Sequence, residues 1–331
     1  MNPLSWLYGL AVARRNRRFD AGVGVQQAPL PVVSVGNLST GGTGKTPVVR
    51  WLAEQLRERG RQVAIVSRGY GGKAGVGPVV VSRGEGPLES AELVGDEPWM
   101  LAALLPGVCV VVGSDRVRGA KQAQQLGADL VLLDDGFQHR FLARQFDLVL
   151  ADASRPFWDA ALLPIGRLRE PVDSLHRADA LMITRDRSQA TRERFRSELA
   201  QRQIALEVYS SDHQSAGLFD SQGNEVSVPP RAIAFCGIGH PQRFRQDLER
   251  LGIELVDFIA RRDHQRIRED EFRGWVRRAA TEEAALITTD KDRARLGALA
   301  DGSPLRTLRI TTAIDRGDEL LERILAAITP R

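Results

Sequence analysis

The chain has 331 residues, 43% hydrophobic and 27% charged, a composition that suits about two globular domains and excludes a fibrous or low-complexity protein. Its 46 basic residues nearly cancel 42 acidic ones, leaving a formal charge of +4 spread along the chain, which argues against a nucleic-acid-binding stripe. No apolar run approaches the roughly 18 residues of a spanning helix, and Cys109 and Cys236 lie in apolar runs without metal or disulfide spacing, so a reducing compartment is expected.

The first twenty residues, MNPLSWLYGLAVARRNRRFD, place an apolar block before the charges, the reverse of a secretory signal. Leu4, Leu7, Leu10 and Ala11 share a helical face near Trp6, and Arg14, Arg15, Arg17 and Arg18 follow. Two readings stand at this point: an amphipathic segment lying on an anionic membrane, and a terminal helix packed on the domain.

From residue 31 to about 205, apolar runs alternate with helical patterns. Strands are predicted near 31–36, 62–67, 78–82, 108–113, 129–134, 146–151 and 179–184, with helices near 45–59, 97–105, 115–126 and 189–202. This rhythm predicts an α/β fold with a mostly parallel sheet and helices on both faces. The turn-rich stretch SSDHQSAGLFDSQGNEVSVPP at 210–230 reads as a linker with a small hairpin around Gln222-Gly223-Asn224. A second, smaller α/β domain follows over 231–331, after a first domain over 21–209.

Between the first predicted strand and helix lies VGNLSTGGTGKTP. Successive N–H groups of a glycine-rich loop and the start of the next helix favour phosphate, lysine reaches the β and γ phosphates, and the following hydroxyl holds Mg²⁺. Ser39, Thr40, Gly41, Gly42, Thr43, Gly44, Lys45 and Thr46 fit a P-loop NTPase-type cradle, although Ser39 stands where the usual spacing has glycine. Lys45 is one of only four lysines, with Lys73, Lys121 and Lys291. A glycine-rich turn without a ligand is the competing reading.

Such a cradle needs acidic groups at another strand's end to organise the metal. LVLLDDGFQH supplies Asp134 and Asp135, which repel each other unless a cation intervenes. In GDEP, Asp96 and Glu97 precede Pro98, either capping a helix or serving an acceptor hydroxyl and the metal shell. In RRDHQRI, Asp263 and His264 end a predicted strand, either as surface residues or as part of a site.

Together these pieces resemble the tetraacyldisaccharide 4′-kinase family across nearly the whole chain. The resemblance rests on VGNLSTGGTGKTP, SRGYGG, VGDEP, DDGFQH, LPIGRLREP, GIGHPQRF, the Asp263–His264 pair and TTDKD, in order. It implies phosphorylation of an acylated glucosamine disaccharide 1-phosphate by ATP at the cytoplasmic face of the bacterial inner membrane, by a peripheral enzyme that needs Mg²⁺. It further implies that Lys45 and Thr46 bind ATP phosphates and metal, with Asp134, Asp135 and Glu97 around the metal and Glu170 near the nucleotide. Asp96 would be the base on the 4′-hydroxyl, supported by His264, and Arg68, Arg116, Gln138 and His139 would face the glycolipid. A lipid acceptor favours the anchoring reading of the N-terminal segment. The rival class is a P-loop ATPase switch of the metallochaperone or partitioning type, which leaves GDEP and the Asp263–His264 pair unexplained.

Overall fold

The structure, a computed structural model, describes residues 2–75, 77–186, 188–262, 265 and 267–329. In chain order the elements are α1 (Pro3–Asp20), β1 (Val32–Asn37), α2 (Lys45–Glu58), β2 (Val63–Ser67), β3 (Val79–Ser82), α3 (Ala91–Val94), α4 (Asp96–Leu104), β4 (Cys109–Val112) and α5 (Arg116–Gln125). Then come β5 (Leu130–Asp134), β6 (Phe146–Asp152), β7 (Ala180–Thr184), α6 (Gln189–Gln201), β8 (Glu207–Phe219) and β9 (Glu225–Val226). The second lobe contains β10 (Arg231–Cys236), α7 (Pro241–Arg250), β11 (Glu254–Ala260), α8 (Glu269–Thr281), β12 (Ala285–Thr289), α9 (Asp290–Leu296) and β13 (Leu305–Asp315), and α10 (Gly317–Ile328) closes the chain.

These strands form one 13-stranded sheet in the order β11-β10-β12-β13-β8-β7-β6-β1-β5-β2-β4-β3, with β9 paired to β8. Strands β1, β5, β6 and β7 are buried at every residue, as parallel strands covered on both faces must be. The coverage follows sequence periodicity: Val48, Val49, Leu52, Ala53 and Leu56 make one buried stripe of α2. Helices α2, α4 and α10 share one core, while α5 and α6 pack on cores across the sheet. In the second lobe α7 and α8 cover opposite faces.

The stretch expected to be turn-rich from 210 is a strand as far as Phe219. β8 runs parallel to β7 and antiparallel to β13, from Ser210 opposite Asp315 to Phe219 opposite Thr307, so it joins the two lobes through main-chain pairing. A turn at Asp220–Asn224 then leads to β9. The lobes also depart from the expected boundary at the C-terminus. Leu320, Leu321, Ile324 and Ile328 of α10 belong to the first lobe's core, because the return along β13 carries the chain back there.

Candidate active site

β1 ends at Asn37, the chain crosses the sheet's C-terminal edge, and α2 starts at Lys45 with Gly44 as its cap. Gly44 has φ +76°, the left-handed region that favours glycine, and a Cβ there would also lie 3.5 Å from His213 Nε2. The loop is braced from three sides. Asn37 Nδ2 donates to Thr43 Oγ1 at 2.8 Å, Thr184 Oγ1 donates to the Thr43 carbonyl at 2.8 Å, and the Thr40 N–H donates to the Arg167 carbonyl at 2.7 Å. Ser39 bridges to Leu168, so the segment after Gly166 lies along the loop as a short strap. The N-terminus of α2 thus points a fixed positive potential into the loop.

Asp134 ends β5, and Asp135 follows with φ +55°. Their environments separate them. Asp134 is 4% exposed, its Oδ2 accepts from Ser67 Oγ at 3.1 Å, and Oδ1 has no hydrogen-bond partner among the described residues. Burial, then the charge of Glu97, pushes its carboxyl up to about 6, against the pull of Lys45. Asp135 goes the other way: burial raises it, but Lys45 and Arg169 outweigh that and hold it below the usual carboxylate range. Arg169 Nη1 donates to Asp135 Oδ2 at 2.8 Å, and Lys45 Nζ makes an ion pair with Oδ1 at 3.4 Å.

Asp96 and Glu97 open α4 after Gly95, whose φ is +94° and whose missing Cβ would clash at 2.7 Å with the Tyr70 carbonyl. SRGYGG and GDEP are thus pressed together backbone to backbone. The capping position belongs to Gly95, and the Asp96 side chain turns to the second lobe, where Arg295 Nε donates to its Oδ2 at 2.7 Å. Lys291 Nζ lies 3.5 Å from Glu97 Oε1. Both cations come from α9. Arg295, with its side chain 5% exposed, also donates to Asp292 Oδ1 at 2.9 Å and to the Gly237 carbonyl. His264 and Asp263 lie outside the described residues.

Arg68, Arg116 and His139 form a basic cluster beside this edge. Arg68 lines a cavity of about 470 Å³ with Tyr70, Gly72 and Ser114. Arg116 is buried and donates to the Gly113 and Ser114 carbonyls at 2.9 and 3.1 Å; burial, then Arg68, lowers its pKa. Burial, then Arg116, pushes His139 down to about 4, so it is neutral near pH 7. Gln138 turns to the end of β1. Its Nε2 donates to the Asn37 carbonyl at 2.9 Å and its Oε1 accepts from Arg169 at 3.4 Å, which braces the phosphate loop.

Glu170 is expected near the nucleotide from the resemblance. Its carboxylate is fully buried against Arg15, Asn16 and Arg177, because adjacent side chains of the extended strap point to opposite sides and Arg169 takes the side facing Asp135. Sequence reasoning also left Arg169, Lys291, Asn37 and Ser67 without roles, although each lies in a quoted motif. Arg295 lies outside every motif, and nothing in the sequence marks it among the many arginines. Among the described residues no three His, Cys, Asp or Glu groups make a preformed metal site.

The model of the tetraacyldisaccharide-1-P 4′-kinase family matches residues 1–329. The tetraacyldisaccharide 4′-kinase of Desulfotalea psychrophila is 41% identical over 98% of this chain and 96% of that protein, and that of Chlorobium luteolum is 36% identical over 99% and 97%. A crystal structure of LpxK from Aquifex aeolicus in complex with ATP superposes with a TM-score of 0.80 at 31% identity, covering 99% of this chain and 98% of that one.

Proposed function

The chain belongs to the tetraacyldisaccharide-1-P 4′-kinase family, and from that premise we propose how its residues carry the reaction. The enzyme transfers the γ-phosphate of ATP to the 4′-hydroxyl of tetraacyldisaccharide 1-phosphate, giving lipid IVA in lipid A synthesis; the ATPase-switch reading is not favoured by a family match over 1–329. The observation supporting the assignment of the site is that two acidic pairs border one space. Asp134–Asp135 lies beside Lys45, Asp96–Glu97 faces the second lobe, and the charge of Glu97 reaches Asp134 strongly enough to raise it.

Lys45 and the loop N–H groups position the ATP phosphates, and phosphoryl transfer depends almost wholly on such positioning and on charge stabilisation. Asp96 accepts the proton of the 4′-hydroxyl, Arg295 orients it, and His264 supports it from the second lobe. Arg68 and Arg116 receive the acceptor's 1-phosphate, for which guanidinium geometry is suited. Magnesium fits the acidic pairs: the donors are all oxygen, and Asp134 Oδ1 is buried without a hydrogen-bond partner among the described residues. Thr46, Asp134, Asp135 and Glu97 would hold it together with phosphate oxygens, the usual Mg²⁺ arrangement of one or two carboxylates plus substrate. When bound, the ion neutralises charge on the phosphates.

The enzyme acts at the anionic cytoplasmic face of the inner membrane. Supporting this, Leu4, Trp6, Leu7 and Leu10 of α1 are 58, 52, 56 and 47% exposed while Ser5, Val12 and Phe19 are buried, so one face of the helix docks and the other presents apolar side chains. Among the described residues no helix is long and apolar enough to cross a membrane. Transfer of radiolabel from ATP to the disaccharide 1-phosphate tests the reaction, and label recovered only as inorganic phosphate would overturn it. For the membrane, Leu4→Ser/Leu7→Ser/Leu10→Ser should lose flotation with anionic vesicles, and unchanged flotation would leave α1 a packed helix only.

A further inference from the structure

The docked face of α1 reaches the chain segment that holds both the phosphate loop and Asp135. Tyr8 Oη donates to the Arg169 carbonyl at 2.8 Å. From the same residue, the Arg169 N–H donates to the Leu38 carbonyl at 2.7 Å and the Arg169 guanidinium donates to Asp135 at 2.8 Å. The next residue, Glu170, is fully buried, and two of its three partners belong to α1: Arg15 Nη2 at 3.2 Å and Asn16 Nδ2 at 2.9 Å. The third, Arg177 at 2.9 Å, lies over the Phe137 ring at 3.7 Å and donates to the Phe137 carbonyl at 3.2 Å, two residues past Asp135. A buried carboxylate must be paired, so the pairing fixes where α1 sits relative to the strap and to Arg177.

We infer that Glu170, with Asn16 and Tyr8, is a positioning residue: the helix that meets the lipid surface also sets the geometry of the nucleotide site, through the strap at 167–170 and through Arg177. The physical need lies at Asp135. Its backbone is left-handed, an uncommon state for a non-glycine residue, and its side chain is aimed by Arg169 and Lys45. A strap released from α1 lets Arg169 drift and takes Asp135 and the Leu38–Thr40 backbone with it. The inference rests on the kinase reading only for its effect on turnover; its effect on nucleotide binding stands alone.

The test is titration of a fluorescent ATP analogue with Mg²⁺ into the full chain without lipid, with melting temperature measured in parallel. Glu170→Gln should bind nucleotide about 10-fold more weakly, short of the roughly 10² that a full 1 Å misplacement costs, and should lose kcat by a similar factor at saturating substrates. Asn16→Ala and Tyr8→Phe, each removing one hydrogen bond, should weaken nucleotide binding about 3-fold, and they carry the test if Glu170→Gln does not fold. Lower melting temperatures with wild-type nucleotide affinity in the folded variants would make the contacts merely structural and overturn the inference. Wild-type protein that binds nucleotide but transfers no phosphate would instead overturn the kinase reading.

Discussion

The two acidic pairs at the catalytic edge are alike in sequence and opposite in what holds them. Asp134 and Asp135 answer to their own lobe, through Ser67, Lys45 and Arg169. Asp96 and Glu97 have partners in the other lobe, Arg295 and Lys291 on α9. The first pair is therefore set as soon as the first lobe folds. The second is set only when the lobes meet, which makes its geometry a property of their arrangement, and it contains Asp96, the residue proposed to act on the acceptor. Binding phosphate and activating the hydroxyl are thus separable in principle.

The largest expected effect lies on the first pair's side. Lys45→Ala removes the cation that balances Asp135 and reaches the phosphates, so transfer should fall by about 10³ or more, with nucleotide binding weakened as well. Substantial turnover at saturating glycolipid would break the comparison, because the cradle would then serve something else. Next comes Asp96→Ala, which should lower kcat by roughly 10² to 10⁴ while nucleotide affinity stays near wild type. Loss of nucleotide binding would move Asp96 into the metal shell beside Glu97 and leave the proton acceptor elsewhere. The double variant with His264→Ala should lose little beyond either single change, since residues that act as a unit are non-additive.

A third prediction isolates the contact between lobes. Arg295→Met keeps the apolar stem but leaves Asp96 without its Nε donor and Asp292 without one of its buried partners. It should lower kcat by about 10-fold with little change in KM for ATP, and destabilise the protein by about 2 to 3 kcal/mol. An equal loss in Lys45-dependent nucleotide binding would show that the lobes are not separable in this way.

The same division governs what was legible in the sequence. The first lobe's strands are runs such as VVSVGN and LVLLD, buried at every residue, and no other placement suits them. β8 was read as turns because, past Ser211, it leaves the core: its residues there are mostly half-buried or exposed, so selection for apolar side chains is weak and main-chain pairing with β13 does the holding. α7 shows only Phe244 and Leu248 as a buried stripe, too little to stand out in PQRFRQDLER. The acidic residues themselves were visible through their motifs. Their partners were not, because which of many arginines meets Asp96 or Asp135 depends on contacts distant in sequence, and the buried role of Glu170 depends on a helix more than 150 residues earlier.

The smallest expected effect concerns the strand that joins the lobes. His213 sits on β8, its Nδ1 3.4 Å from Thr312 Oγ1 of β13 and its Nε2 against the position that a side chain at Gly44 would take. Burial, followed by the nearby charges of Arg243 and Arg185, pushes its pKa down to about 4, while Asp212 and Asp152 pull the other way. The folded value lies below the unfolded value of about 6.5, so His213 contributes stability above pH 6.5 that is lost as pH falls towards 4. By pH 5 the loss should be about 1 to 2 kcal/mol. Asp134 and Asp290, both pushed up to about 6, carry the opposite sign: their contribution is present below about pH 4 and lost as pH rises through 6. The whole-protein profile is therefore a sum, and only the difference between wild type and His213→Gln isolates the histidine. That difference, from melting temperatures across pH 7.5 to 5, should shift in favour of the variant as the pH falls. A constant difference would mean that the half-buried imidazole is not held neutral between the strands.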